Sequence, residues 1–577
     1  GLEAIQNELT TVRFTPTAQI RYTPLAWFTN RLTIGGDISS THGVTFFPKN
    51  SQSWYNGDQA NGYVEDVQDP IHIYTVDYLG NIHSSFGGTR QIASDFSFGS
   101  QYINTVENVL AGIGIGLATN SSNLVSSAAT SEAHQTYTQS KSLGLLAQEQ
   151  VSFGQMLFLQ AGARVDRNSA FGKAFGSLVL PKVSASWVVS QQSFWSRYAN
   201  AISTLRLRAA YGSTGRSPSP GASLRTYAPF TFVTPTGGTG PGVVQASPGN
   251  PNLKPERGTE FETGVDAGFF HERAGIELTY YDKHTSDLLL TNPLAPSLAF
   301  TSNPFINAGK VDNRGIEFTL RINPVDQRNV RWDASLNGST LRNRLLSLGA
   351  IAIPNQTEIS PDLSYRYVIG KPLSSWYSSK ITGIDTVAGR ATVTSTPVFA
   401  GPQWPTFTAN LTNTVTLYKN LSLYALVTHQ QGGKILNVTP LYRDLTGSSA
   451  GANLSASQGG YSKAEQIAHF GPFFTPAGAR VPLVLDRYLQ PTDFVRLAEL
   501  SATVTLPNQY AERLRASGAS LVFGVRNLHV WKKKSFDGPD PDFQANTTLT
   551  GTAQYASIEE FTVPQPRRWL VRLNLQF

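Results

Sequence analysis

The chain reads as an all-β protein, an antiparallel transmembrane β-barrel with about 16–18 strands. Three observations carry this reading. Apolar and polar residues alternate with period two in segment after segment, as in a sheet with one wet face. Many of these segments match or exceed the ~9–11 residues with which a tilted strand crosses a bilayer. The connections also sort by length, so that tight turns gather at one end and long loops at the other.

In chain order, the strands are expected near residues 11–22, 27–44, 61–82, 91–107, 132–153, 156–168, 174–190 and 203–216. They continue near 257–270, 273–290, 307–323, 329–347, 404–418, 421–436, 492–507, 518–533 and 566–577. The alternation is explicit in several of them. Leu205, Leu207, Ala209 and Tyr211 interleave with Thr204, Arg206, Arg208 and Ala210. Ile276, Leu278 and Tyr280 interleave with Glu277, Thr279 and Tyr281. Ile316, Phe318, Leu320 and Ile322 interleave with Glu317, Thr319, Arg321 and Asn323. Trp332 to Asn337, Phe407 to Thr412 and Ala498 to Leu506 repeat the pattern. The last strand places Trp569, Val571, Leu573, Leu575 and Phe577 on one face, expected to meet lipid, with Arg572, Asn574 and Gln576 on the other. Short turns are expected at Thr23-Pro-Leu-Ala26, Phe153-Gly-Gln155, Phe270-His-Glu-Arg273 and Lys419-Asn420, and long loops near 44–61, 108–131, 217–255, 291–306, 348–403, 437–490 and 534–565.

Composition agrees and excludes much else. The chain has 31 Phe, 22 Tyr and 9 Trp, while charged residues make up only 15%. There is no cysteine, which rules out disulfide staples, thiolate metal sites and a cysteine nucleophile. No apolar run approaches the ~20 residues of a membrane helix. Val109 to Ala118 is too short and rich in glycine. The net charge of +7 comes from dispersed Lys and Arg. Without a basic patch on a recognisable module, no nucleic-acid partner is expected. Gly1-Leu2-Glu3-Ala4 lacks the features of a signal peptide, so the chain is read as mature, processed or truncated.

Several segments resemble a known family. Asn250-Pro-Asn-Leu-Lys-Pro-Glu256 followed by Glu260-Phe-Glu-Thr-Gly-Val-Asp266 is similar to a signature of TonB-dependent outer-membrane receptors. Asn307-Ala-Gly-Lys-Val-Asp-Asn-Arg-Gly-Ile-Glu-Phe318 resembles the version in the SusC/RagA-like branch. Arg164 to Lys173, Pro181 to Trp187, Leu205 to Gly212, Gly370 to Leu373, Phe494 to Leu497, Gly524 to Leu528 and Pro564 to Arg567 fit the same branch. Pro251 and Pro255 stiffen the entry to the following strand, a structural part to which no catalysis attaches.

The resemblance implies a TonB-dependent receptor β-barrel domain over residues 1–577, as the C-terminal portion of a 22-stranded barrel whose N-terminal plug and first strands lie outside this chain. A naturally short relative is the alternative. It implies residence in the outer membrane of a diderm bacterium, in contact with its lipid, and import of oligosaccharides or peptides. Its implied partners are a SusD-like surface lipoprotein and the TonB complex, the latter acting through the plug. No enzymatic activity, cofactor or metal is implied. Arg206, Arg208, Glu277, Glu317 and Arg321 are expected on the lumen side.

Loop aromatics next to amide and carboxylate residues suit sugar or peptide ligands. Trp54 and Tyr55, Tyr227, and Trp376 and Tyr377 are the candidates, against the alternative of a membrane-interface girdle or loop packing. Asp537-Gly-Pro-Asp-Pro-Asp542 offers oxygens for a hard cation such as calcium, against a plain surface turn. Gly112-Ile-Gly-Ile-Gly116 mimics a phosphate loop but lacks its lysine and its strand-turn-helix setting. Rival functions are a passive porin, a surface-binding barrel without transport and, weakest, an outer-membrane hydrolase.

Overall fold

A computed structural model describes residues 5–49, 61–87, 92–234, 236–292, 294–349, 358–359, 365–445, 448–470, 484–513, 515–542, 558–559, 562 and 565–577. The chain divides into two compact units. One comprises Gly1–Ala185, Tyr211–Thr259 and Asp287–Ala308; the other comprises Ser186–Ala210, Glu260–Ser286 and Gly309–Phe577. Among the described residues, 32 strands enter hydrogen-bonded ladders, 19 of them in the largest sheet. Gln6–Phe14 and Thr17–Leu25 run in sequence along the same neighbour, as do Val330–Thr340 and Arg342–Ser347. Each pair is therefore one expected strand, interrupted. No helix among the described residues is long and apolar enough to cross a membrane.

In the first unit the ladder runs antiparallel from Gln6–Leu25 through Phe28–Phe47, Tyr63–Phe86, Ile92–Leu117 and Ala128–Phe153 to Leu157–Asn168. The first path breaks at Thr15-Pro16, where proline has no N–H for the ladder. The Pro16 carbonyl still accepts from the Gly36 N–H at 2.9 Å. On one face, Phe28, Leu32, Ile34 and Ile38 lie beside Ile82, Tyr78, Val76 and His72. This largely apolar stretch, interrupted by Asn30 and ending at His72, rises about 25 Å at a barrel-like tilt, the height of a membrane band. Past it the same face turns to Ser40 and His42, and three strands on, Leu143 gives way to Lys141 and Gln139. At the short-turn end, Trp27, Phe28, Phe98, Phe96 and Tyr78 form a chain of rings 5.8–6.5 Å apart. Such aromatics belong at a membrane-water boundary.

These strands outrun their predicted ends. The 108–131 segment, expected as a loop, supplies strand up to Leu117 and again from Ala128. Its glycines explain the phosphate-loop mimicry. A Cβ at Gly112 would meet Val125 at 3.3 Å, and one at Gly114 would meet Ala128 and Val64 at 2.9 Å. The glycines let the short turn at Val125–Ser127 lie against the sheet, where Phe46, Val64 and Leu117 are buried together.

Three of the sequence motifs meet in this unit. Leu253 is fully buried. Its carbonyl accepts from the Gly172 N–H at 2.8 Å, and the Pro251 carbonyl accepts from the Ala174 N–H at 3.1 Å. Asn307 donates through Nδ2 to the Lys254 carbonyl and accepts at Oδ1 from the Lys254 N–H, both at 2.7 Å.

In the second unit an antiparallel ladder orders Ala274–Ser286, Lys310–Asp326, Val330–Thr340, Phe407–Leu417, Leu421–Gln431, Phe494–Thr505, Gly518–Lys532 and Arg568–Gln576. Its apolar face is continuous. Leu278, Phe318 and Gly338 align, as do Ala502, Phe523 and Val571 farther along. Trp569, Val571, Leu573 and Phe577 are strongly exposed on that face.

The long connections of this unit fold on their own account. Residues 358–402 supply a four-stranded sheet and the hairpin Ile381–Asp385 with Arg390–Val393. The 437–490 connection contains helices at Val438–Leu445 and Lys463–Phe470. Lys434–Asn437 pairs antiparallel with Leu489–Pro491 and parallel with Ile558–Glu559, which ties two long loops together.

Candidate functional site

The polar face of the second ladder carries the charges assigned to the lumen. Arg321 donates to Glu277 Oε1 at 2.6 Å. Arg208 reaches Thr279 Oγ1 at 2.6 Å and Asp266 Oδ1 at 3.2 Å, and Arg206 reaches Asp266 Oδ2 at 2.7 Å. Asn410 donates to Asn337 at 3.1 Å, and Ser339 pairs with Thr408 at 3.0 Å. Arg208, Glu277, Thr279, Asn337, Ser339, Thr408 and Asn410 line a depression of about 460 Å³ that also includes Glu317. Period two puts them there, because each sits one residue from a residue of the apolar face.

The long loops carry a denser constellation that the sequence reading missed. Asp444, on the Val438–Leu445 helix, is almost fully buried beside His469, 25 residues on. His469 Nδ1 lies 2.7 Å from Asp444 Oδ2. Tyr488 donates to the same oxygen at 2.8 Å, and Tyr461 donates to Oδ1 at 3.1 Å. The Tyr461 ring stacks on His469 at 3.9 Å between centroids. Burial pushes the Asp444 carboxyl up, but bonds from His469, Ser449 and Tyr488 outweigh it and hold the group at about 2. Burial and the Asp444 charge push the Tyr488 and Tyr461 phenols up, so both stay protonated donors. A cavity of about 530 Å³ opens beside them, with Arg443, Arg487 and Gln490 in its wall. The members are scattered over long loops without periodicity, so no local signal marks them.

The aromatics singled out in the sequence fall into different settings. Trp54 and Tyr55 lie outside the described residues. Trp376 is fully buried, with Nε1 donating to the Lys434 carbonyl at 2.9 Å. Tyr377 is buried edge-on to Phe399 with centroids 5.8 Å apart. Both rings thus serve as packing in this structure. Tyr227 is 57% exposed on the hairpin of Thr226–Val233 with Thr239–Ser247.

The acidic turn is spent on arginines. Asp540 meets the buried Arg496 at 2.6 Å, Asp542 meets the same guanidinium at 3.2 Å, and Asp537 meets Arg443 at 2.8 Å. Among the described residues no three His, Cys, Asp or Glu side chains gather as a metal cluster.

Alternating strands of bilayer-crossing length, an apolar face running through the second unit's ladder, a charged opposite face and long folded loops define an outer-membrane-type β-barrel protein. The TonB dependent receptor-like, beta-barrel family model matches residues 5–528, and the chain belongs to that family. Its relatives include TonB-dependent receptor P3 of Formosa agariphila, 26% identical over 458 residues that span 72% of this chain and 43% of that protein. TonB-dependent receptor SusC of Bacteroides thetaiotaomicron is 28% identical over 191 residues, 32% of this chain and 19% of that one. The structure of the RagAB peptide transporter superposes with a TM-score of 0.79 at 19% identity, over all of this chain and 63% of that chain. The chain therefore spans less than half of the P3 receptor and under two thirds of the RagAB chain. The SusC/RagA-like resemblance read from the motifs holds, and the family is one of receptors and transporters rather than enzymes. It implies the outer membrane.

Proposed function

We propose that this chain is the C-terminal barrel portion of a TonB-dependent importer that takes up oligosaccharides or peptides with a SusD-like lipoprotein over its outer mouth. On this reading a 22-stranded barrel is completed, and its plug supplied, by sequence outside residues 1–577. The observation that carries the proposal is the cross-linked polar face around Arg208, Glu277 and Arg321, backed by a continuous apolar face. Such a wall suits a lumen that holds a polar plug, and it supplies no reacting group of its own. The exposed Tyr227 is the loop aromatic best placed to meet cargo, with Trp54 and Tyr55 as further candidates. Transport is a displacement of the plug, with no covalent change to the cargo.

The test is conductance and uptake by the full-length protein. Closed single channels in planar bilayers, with uptake that stops when TonB is removed, are expected. A large constitutive conductance independent of TonB would instead identify a passive porin. Cargo binding and cell attachment without any uptake would identify a surface-binding barrel.

A further inference from the structure

The loop cavity beside Asp444 and His469 has an uneven charge balance. Arg443 is matched by Asp537 at 2.8 Å. The Asp444 carboxylate already accepts from His469, Tyr488 and Tyr461, so its charge is shared among donors in the wall. Arg487 is different. It is exposed, and among the described residues no carboxylate lies within ion-pair distance of it. Its guanidinium carbon sits 5.8 Å from the centroid of the Tyr461 ring, which holds it at the cavity wall by a cation–π contact. Tyr461 is fixed in turn between His469 and Gly451. The ring stacks on His469, and a Cβ on Gly451 would fall 2.2 Å from it. The result is a preorganised guanidinium, without an ion-pair partner among the described residues, on a cavity of about 530 Å³. That volume lies in the range of small-ligand sites. A planar guanidinium fork matches a planar carboxylate through two parallel hydrogen bonds.

We propose that this cavity binds a carboxylate of the cargo, with Arg487 as the recognition residue and Tyr461 as its support. The proposal rests on the importer reading only for the word cargo; the binding itself belongs to the loops. A carboxylate can come from an acidic sugar or from a peptide C-terminus. The aliphatic edges of Pro440 and Gly451 at the cavity accept the neutral part of either.

The experiment is calorimetric binding to the detergent-purified full-length protein, using matched probes. Trigalacturonate is compared with its carboxyl-reduced neutral form, and trialanine free acid with trialanine amide. At least one acid is expected to bind about tenfold or more tightly than its neutral partner. Arg487→Ala abolishes that preference, and Arg487→Lys restores part of it, since charge remains but the fork does not. Whichever acid shows the preference identifies the source of the carboxylate. Arg487 is exposed, so both variants are expected to melt with the wild type. Equal binding of acid and neutral forms, no binding of either acid, or an undiminished preference in Arg487→Ala would overturn the proposal. Constitutive conductance with the acid preference intact would remove the importer reading and leave the site standing.

Discussion

The side chain of Asn307 brackets the backbone of Lys254, accepting from its N–H and donating to its C=O, both at 2.7 Å. An amide is the one short side chain that offers a donor and an acceptor in this geometry. It joins two sequence motifs 53 residues apart, and Gly172 adds a third from the other side of Leu253. Asn307→Ala leaves two peptide groups to find other partners and is expected to cost about 1–3 kcal/mol. Asn307→Asp keeps the acceptor and should cost less. A Cβ at Gly172 would fall 2.3 Å from the Pro251 carbonyl oxygen, so Gly172→Ala should be at least as damaging. Urea titration of the detergent-folded protein, read by its heat-modifiable gel mobility, would rank the three.

The Asp444 cluster predicts acid sensitivity confined to the loops. Its folded value of about 2 lies below the ordinary carboxylate value of ~3.9. The stabilisation is therefore complete above about pH 4 and is lost as pH falls through about 2. On the order of 2–3 kcal/mol is at stake. Hydrogen exchange in 438–490 should rise over that window in the wild type. Asp444→Asn should show the faster exchange already at neutral pH, with a flat response below it.

Arg496 and Asp540 are each only 7% exposed in their side chains. Arg496→Ala strands a buried carboxylate and is expected to destabilise by about 3–5 kcal/mol, whereas an apolar replacement of both partners should recover much of the loss. The same pairing predicts that millimolar calcium leaves the melting temperature unchanged. A calcium-dependent rise that disappears in Asp542→Asn would show that the turn binds a cation.

Val571 and Leu573 face outward on the last strand. An arginine at Val571 should cost about 2–4 kcal/mol in refolding into lipid vesicles if the residue lies near the bilayer centre. The same change at Asn574, on the opposite face, should be tolerated.

Two loop aromatics separate packing from recognition. Trp376→Ala should lower stability by about 3–5 kcal/mol, because a fully buried indole is removed. Tyr227→Ala should leave stability unchanged and weaken uptake if the exposed ring meets cargo.

The wall of this protein is legible in its sequence because alternation is a local property. Leu278 and Glu277 must point to opposite faces whatever lies beside them, so the face around Arg208, Glu277 and Arg321 follows from one-dimensional order. Strand ends were less legible. Ile113 and Ile115 extend the strand between two long neighbours, and Gly112 and Gly114 leave room there for Val125 and Ala128, a condition met across the fold. The loops were least legible. Trp376 could be a binding aromatic or loop packing until its indole is found on the Lys434 carbonyl, and the Asp537–Asp542 turn could be a cation loop or a plain surface turn until Arg496 and Arg443 take its charges. The sequence by itself determined which residues share the apolar face of each strand and which share the polar one. The tertiary structure alone decided the meeting of Asp444 with His469, the seating of Arg487 on the Tyr461 ring and the clasp of Asn307 on Lys254. Side-chain direction repeats every two residues along a strand, whereas these contacts depend on where distant segments come to rest.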